Sequence, residues 1–149
     1  MKIYLGADYR GFEKKEALEK YLSDSGYSVE DVGAFEYHEG DDFNDPAVAV
    51  AKEVREDRGS FGILICGSAH GVTIQANRFK GIRAAHCESV ESAKMAREHD
   101  DANVICLSAH FTDFEKMREL VDVFINTNFE NIERRVRRIN RLDEREDYD

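Results

Sequence analysis

The chain is poor in the features that mark secreted, membrane-spanning and multidomain proteins. It has one proline and ten glycines, too few for a long flexible linker. Its three cysteines (Cys66, Cys87 and Cys106) are odd in number and have no CxxC spacing, so neither a disulfide framework nor a zinc knuckle is indicated. No apolar run approaches the ~18 residues of a membrane span, and residues 1–7 are too short for a signal peptide. We therefore expect a single cytoplasmic domain over residues 1–149, without a membrane association.

Positive charge is also scarce, because 21 lysines and arginines face 31 acidic residues and the formal net charge is −10. A protein that binds nucleic acid generally carries a basic surface, so the composition argues against a nucleic-acid partner. Hydrophobic residues nevertheless make up 42% of the 149 residues and aromatic residues 10%. That composition is typical of a globular domain with a core of its own.

Short β-type runs alternate with helical stretches along the chain. Five such alternations imply parallel strands with right-handed crossovers, and therefore an α/β fold: a three-layer α/β/α sandwich around a five-stranded parallel sheet, with an extra C-terminal helix. The predicted strands cover residues 1–7, 27–32, 61–66, 81–85 and 103–107, and the predicted helices cover residues 11–25, 46–57, 72–78, 89–99, 112–125 and 132–145.

Ligands of such sheets bind at the carboxyl ends of the strands. That rule selects residues 8–11 after the first strand, 66–71 after the third and 108–110 after the fifth. His99 lies at the opposite end of the fifth strand. If His99 acts in a site at the carboxyl ends, another subunit must contribute it.

The hexapeptide of residues 66–71, CGSAHG, is the most informative segment. A buried strand delivers the Cys66 thiol to a loop of successive backbone N–H groups, which can bind an anion and lower the pKa of a neighbouring thiol. The alternative is a buried structural cysteine before an ordinary turn. The segment matches neither a Walker A loop nor a GxGxxG dinucleotide fingerprint.

An arginine cluster near the C-terminus is the second feature: Arg134, Arg135, Arg137, Arg138 and Arg141. Like charges four residues apart oppose helix formation by ~0.2–0.5 kcal/mol per pair. A bound anion such as phosphate, which guanidinium groups grip bidentately, would explain their proximity. The alternatives are a solvated helix or pairing with acidic residues of a partner subunit.

Several other polar residues have ordinary structural explanations. Asp8 is suited to capping the helix that follows it, and His99 to compensating a helix dipole. His70, His86 and His110 lack HxH and HxxxH spacing, so we predict no metal site.

Four separated segments resemble, in order and spacing, the ribose-5-phosphate isomerase B family of sugar-phosphate isomerases. They are GADYRGFEKKEAL at residues 6–18, ILICGSAHGVTIQANRFKGIRAA at 63–85, AREHDDANVI at 96–105 and the arginine-rich end. The resemblance implies a Rossmann-like sandwich and the interconversion of ribose 5-phosphate and ribulose 5-phosphate without metal or coenzyme. It also implies a homodimer or homotetramer with shared active sites, in which the C-terminal helix of about residues 130–146 packs on a partner subunit.

The resemblance also implies roles for individual residues. Cys66 stands at the position of the base that moves a proton through an enediolate, Ser68 at that of the assisting hydroxyl, and His99 at that of the histidine that opens the sugar ring. Asp8 corresponds to the residue that binds sugar hydroxyls, and Arg134 and Arg138 to the phosphate-binding arginines. The residues implied in substrate binding are Asp8, Tyr9, Gly67, Ala69, His70, Gly71, Asp100, His110, Arg134 and Arg138.

The chain departs from the family pattern at four of these positions and at Arg135. Tyr9 replaces a histidine, Ala69 a glycine, Asp100 an asparagine, His110 a phosphate-binding arginine and Arg135 a histidine. Two alternatives to a ribose-5-phosphate isomerase therefore stay open. One is an isomerase of a six-carbon sugar phosphate, such as allose or galactose 6-phosphate, and the other is a catalytically impaired sugar-phosphate-binding homologue.

Overall fold

The computed structural model describes residues 1–144, in which five strands alternate with helices as the sequence predicts. The strands are β1 (Lys2–Ala7), β2 (Ser28–Gly33), β3 (Phe61–Cys66), β4 (Ala84–His86) and β5 (Val104–Ser108). The helices are α1 (Phe12–Asp24), α2 (Asn44–Glu56), α3 (His70–Ala76), α4 (Val90–Asp100), α5 (Phe114–Asn126) and α6 (Glu133–Asn140). Within this part of the chain, no helix has both the length and the apolar character needed to cross a membrane.

All strands of the sheet are parallel, in the order β2-β1-β3-β5-β4. From β1 the chain adds β2 on one side, and it then returns to add β3 on the other. The crevice between the carboxyl ends of β1 and β3 is therefore the topological switch point, where open α/β sheets bind ligands. The predicted α/β sandwich is confirmed, and it places the Cys66 loop beside this crevice.

Strand β3 lies at the centre because its sequence FGILIC can be buried on both faces. Ile63 and Ile65 face a core formed with α1, α4 and α5. Leu64 and Cys66 face a second core, formed with α2 and α3. Burying each large aliphatic side chain stabilises the fold by ~1.5–3 kcal/mol.

Side-chain caps position two of the helices that flank the sheet. Ser89 Oγ accepts a hydrogen bond from the backbone N–H of Ser92 at 3.0 Å at the start of α4. Asp113 Oδ1 accepts one from the N–H of Lys116 at 2.8 Å at the start of α5. Each bond satisfies a first-turn donor that has no partner inside the helix.

The starts of α2 and β4 differ from the prediction. Helix α2 begins at Asn44 rather than at residue 46, so Pro46 lies in its first turn, where a missing N–H costs no helical bond. Strand β4 begins at Ala84 rather than at residue 81. The side chain of Asn103 explains this later start, because it accepts a hydrogen bond from the N–H of Arg83 and donates one to the carbonyl of Gly81.

The ends of α3 and α6 also differ from the prediction. Helix α3 begins at His70, so the loop after β3 is shorter than predicted. Helix α6 covers only Glu133–Asn140 of the predicted residues 130–146. A tighter turn ends it, with the N–H of Leu142 bonded to the carbonyl of Ile139, and Asp143 then accepts from the N–H of Gly81 at 3.0 Å. Residues 145 and 146 of the predicted helix lie outside the described residues.

Candidate active site

The turn after β1 forms one wall of the crevice, and Asp8 holds its shape. Asp8 Oδ1 accepts hydrogen bonds from the N–H groups of Arg10 at 3.0 Å and Gly11 at 3.2 Å. Burial raises the pKa of Asp8, and these two amide bonds oppose that rise. Gly11 permits close approach to β3, because a Cβ there would lie 2.6 Å from the carbonyl oxygen of Ile65. Asp8 thus stabilises the turn through these hydrogen bonds. It does not cap α1, whose N-cap is Gly11.

The loop after β3 carries the thiol and is joined to the loop after β5. The carbonyl of Cys66 accepts from the N–H of Ala109 at 2.8 Å. The carbonyl of Gly67 accepts from the N–H of His110 at 3.0 Å and from Ser108 Oγ at 2.7 Å. These bonds fix the exposed His110 beside Gly67. The Cys66 side chain lies at the bottom of this arrangement, and the residue is 5% exposed.

Ala69 gives the Cys66 loop its sharp bend. Its φ of +73° is in the left-handed region, although the residue is not glycine, and it is fully buried. The resulting turn leaves the N–H groups of Ser68 and Ala69 without an acceptor among residues 1–144, while the N–H of His70 donates to Ser68 Oγ at 3.2 Å. Backbone N–H groups arranged in this way can bind an oxyanion.

Tyr9 and Arg10 form a second polar group above the same loop. Arg10 Nε donates to the Tyr9 hydroxyl at 3.0 Å, and its guanidinium carbon lies 5.6 Å from the centre of the Tyr9 ring. The bond to Tyr9 is the largest cause of a raised Arg10 pKa, and the charges of Asp8 and Cys66 add to it. Arg10 was not among the predicted site residues, and its place in the turn after β1 was the available signal.

Two further residues support the site without having been predicted. Lys14 Nζ donates to the carbonyls of Ala109 at 2.7 Å and Thr112 at 2.6 Å, which anchors the loop that carries His110. Asp41 Oδ1 accepts from the N–H of Tyr9 at 2.9 Å, which fixes the turn after β1. Neither residue follows a strand, so the strand-end rule could not have found them.

The other predicted site residues lie at the opposite end of the sheet. His99 and Asp100 are the last residues of α4, next to the start of β5. Arg134 and Arg138 lie on α6, which is joined to α4 by a hydrogen bond of 3.0 Å from Arg135 Nη1 to the carbonyl of Glu98. Because β5 runs from this end to Ser108, the two groups are separated by roughly 13 Å or more.

The candidate site residues therefore form two separate groups in one chain, which we call half-sites. The thiol half-site contains Asp8, Tyr9, residues 66–71 and His110, and the arginine half-site contains His99, Asp100, Arg134 and Arg138. In the arginine half-site, Arg134 and Arg138 are exposed, and no carboxylate among residues 1–144 pairs with either of them. Arg135 and Arg137, by contrast, pair with Glu130 and Glu133.

A model of the family described as Ribose/Galactose Isomerase matches residues 3–142, almost the whole chain. The chain belongs to this family. Membership confirms the resemblance drawn from the sequence motifs, and it identifies the protein as an isomerase.

Three relatives show the range of proteins that this isomerase resembles. Ribose-5-phosphate isomerase B of Mycolicibacterium paratuberculosis is 38% identical over 146 residues, which cover 98% of this chain and 92% of the relative. The crystal structure of ribose-5-phosphate isomerase B from Mycoplasma genitalium with bound ribulose-5-phosphate has a TM-score of 0.91 at 37% identity, over 95% of this chain and 93% of the other. A 4-deoxy-4-sulfo-D-erythrose isomerase of a Clostridium species is 34% identical over 134 residues, covering 89% of this chain and 84% of the relative.

One acidic cluster lies outside both half-sites of this isomerase. Carboxylate oxygens of Glu16, Glu19 and Asp31 lie within 4.8 Å of one another. The ammonium group of the fully buried Lys15 pairs with Glu16 and Asp31. Lys15 thus supplies the positive charge that holds these carboxylates together.

Alkylation should distinguish the three thiols of this isomerase. Burial raises the pKa of Cys87 to about 11 and that of Cys106 to about 12, so both stay protonated near neutral pH. Because the thiolate is the nucleophile, we expect iodoacetamide at about pH 8 to modify Cys66 first and to remove activity, as peptide mass spectrometry and turnover will show. Modification of Cys87 or Cys106 ahead of Cys66 would contradict the expectation that Cys66 is the reactive thiol.

Proposed function

We propose that this isomerase interconverts ribose 5-phosphate and ribulose 5-phosphate through an enediolate, with Cys66 as the base. The observation that carries the proposal is the position of the Cys66 thiol at the β1/β3 switch point, directly before the N–H groups of Ser68 and Ala69, which have no acceptor among the described residues. The relatives support the substrate, since one of them is a ribose-5-phosphate isomerase B with bound ribulose-5-phosphate. The arrangement offers a base and an oxyanion site within one loop.

The proposed reaction moves protons and leaves the overall oxidation state unchanged. The Cys66 thiolate removes the proton from C2 of the open-chain aldose. The C2–H electron pair forms the C1–C2 double bond of the enediolate, and the π pair of the C1 carbonyl moves to O1. The thiol then returns the proton to C1, while the Ser68 hydroxyl carries a proton from O2 to O1. Because the aldose and the ketose are isomers, this proposal requires no redox coenzyme.

The backbone of the Cys66 loop would stabilise the intermediate. The N–H groups of Ser68 and Ala69, which have no acceptor within residues 1–144, are suited to the enediolate oxygen. One such donor is worth ~2.7–4 kcal/mol in other enzymes. Glycine at 67 and 71 allows neighbouring side chains to pack closely against the loop. A Cβ at Gly67 would lie 2.9 Å from Arg10 Cδ, and one at Gly71 would lie 2.8 Å from a ring carbon of Phe43.

We propose further that a second copy of the chain completes each site. Its arginine half-site would bring His99 to the sugar ring oxygen, where it opens the ring, and Arg134 and Arg138 to the phosphate. Asp8 would bind sugar hydroxyls, and the protein would be a homodimer or a homotetramer with α6 at the contact. The separation of the two half-sites within one chain supports this arrangement.

A different anionic sugar is the second candidate substrate. Tyr9 and His110 stand at the open side of the thiol half-site, where the resemblance leads us to expect a histidine and an arginine. Among the relatives is also an isomerase of a sulfonated four-carbon sugar. Six-carbon sugar phosphates, such as allose and galactose 6-phosphate, belong to the same chemical class.

A substrate panel tests the proposal. We expect the purified protein to convert ribose 5-phosphate to ribulose 5-phosphate with the highest kcat/KM among pentose phosphates, hexose phosphates and 4-deoxy-4-sulfo-D-erythrose. Product formation is followed by NMR, without added metal or coenzyme, on the wild type and on Tyr9→His. Preference for another member of the panel would reassign the substrate. Sugar-phosphate binding without turnover of any member would identify a catalytically impaired homologue.

A further inference from the structure

We propose that Arg10, oriented by Tyr9, binds the anionic group of the substrate from within the same subunit as Cys66. This inference rests on the proposed function for the identity of the substrate. It assigns a specificity-determining role to a residue for which the family resemblance implied none. The ligand chemistry is a tetrahedral oxyanion on a sugar, whether phosphate or sulfonate.

The position of Arg10 relative to Gly67 is the first observation. A Cβ built at Gly67 would lie 2.9 Å from Arg10 Cδ and 3.2 Å from Arg10 Nη1. The arginine side chain therefore crosses the loop directly beside Cys66 and passes through the space that a side chain at 67 would occupy. On its other side, Gly67 is joined through its carbonyl to the N–H of His110.

Tyr9 orients the guanidinium and leaves its far edge available. The phenolic oxygen of Tyr9 accepts a hydrogen bond from the Nε–H of Arg10 at 3.0 Å, and the guanidinium carbon lies 5.6 Å from the centre of the Tyr9 ring. No carboxylate among residues 1–144 forms an ion pair with Arg10, and no acceptor there takes its Nη1 or Nη2 hydrogens. Two parallel N–H groups of this kind match the oxygens of phosphate or sulfonate.

The thiol of Cys66 and the guanidinium of Arg10 differ in exposure, which suits them to opposite ends of the substrate. Cys66 is 5% exposed at the bottom of the half-site, whereas Arg10 is exposed at its mouth. A sugar whose C1 and C2 reach the thiol must direct its other end, which carries the anionic group, outward. Arg10 is therefore suited to the distal anion, and the loop amides are suited to the enediolate oxygen.

Charge balance favours such a group in the thiol half-site. Asp8 and Asp41 both lie in or against the turn after β1, as their hydrogen bonds to its N–H groups show, and the chain as a whole carries a net charge of −10. Carboxylates in or beside the half-site repel an anionic sugar. The guanidinium of Arg10 offsets that repulsion where the substrate enters.

Steady-state kinetics of Arg10→Met tests the assignment. Loss of a bidentate ionic contact should raise KM for ribose 5-phosphate by roughly 10- to 100-fold, with kcat changed by less than about threefold. Arg10→Lys should raise KM less than Arg10→Met does, because lysine keeps the positive charge but cannot form the bidentate contact. Tyr9→Phe should raise KM by roughly two- to tenfold, because it only releases the guanidinium. Arg58→Met, an exposed arginine before β3, is the matched control for charge.

Calorimetry with inorganic phosphate keeps the test independent of turnover. We expect wild-type protein to bind phosphate and Arg10→Met to bind it at least tenfold more weakly, as the loss of a charged contact predicts. That result would uphold the inference even if the substrate panel showed no isomerisation. The inference fails if phosphate affinity and KM in Arg10→Met stay within about twofold of wild type, if wild type binds no phosphate, or if kcat falls while KM is unchanged.

Discussion

Replacing Cys66 with alanine is expected to lower kcat for ribose 5-phosphate isomerisation by roughly 10²- to 10⁴-fold, the usual contribution of a positioned base. The side chain faces the core formed with α2 and α3, at the end of β3, and no second thiol lies in the thiol half-site. KM should change little, because the sugar hydroxyls and the anionic group are bound by other residues. Stopped assays of product formation, with circular dichroism to confirm folding, provide the measurement.

Cys106→Ala is the matched control for this variant. Cys106 lies opposite Leu64 on the neighbouring strand and faces the same core, so its replacement removes the same sulfur from a similarly buried place. It should retain activity close to that of wild type while losing a similar amount of stability. Equal losses of activity in Cys66→Ala and Cys106→Ala would show a structural effect and would reject Cys66 as the base.

The second large effect concerns the two half-sites. Cys66→Ala protein and a protein with Arg134→Ala and Arg138→Ala should each be nearly inactive alone. A mixture that exchanges subunits should regain activity, because a mixed dimer contains one site whose two half-sites are both intact. With random pairing of equal amounts in a two-fold dimer, about a quarter of the sites are restored. Activity is measured after unfolding and refolding the mixture, or after co-expression.

A second mixture provides the control for complementation. Cys66→Ala and Ser68→Ala both damage the thiol half-site, so no pairing of these two chains produces an intact site. That mixture should show no recovery beyond its separate components. A fully active 17 kDa monomer in light scattering, or equal recovery in both mixtures, would contradict the shared-site proposal.

The layers of the fold could be predicted because they follow from burial patterns. The uninterrupted apolar segment FGILIC predicted a central strand, and residues 61–66 form it as predicted. The errors lie where side chains far away in the sequence decide the outcome. Asn103 holds residues 81–83 out of β4 through bonds that no local pattern reveals, and the contact between Asp143 and Gly81 lies beyond the end of α6.

The candidate site was predictable only in part, for a related reason. The strand-end rule found Asp8, Cys66 and His110, because it depends on topology alone. It could not rank Arg10 above its neighbours, since the role proposed for that residue depends on the space left by Gly67 across the crevice. Ala69 shows the reverse case, because the structure holds it at positive φ without glycine while its methyl group is buried in the core formed with α2 and α3.

Isomerisation in deuterium oxide tests the central claim most directly, because it follows the proton that Cys66 is proposed to move. Wild-type protein should introduce deuterium at C2 of recovered ribose 5-phosphate and at C1 of ribulose 5-phosphate, as NMR and mass spectrometry will detect. Cys66→Ala should lose this exchange together with turnover, while Cys106→Ala should retain both. Deuterium exchange at C2 that continues in Cys66→Ala at the wild-type rate would contradict the assignment of Cys66 as the base.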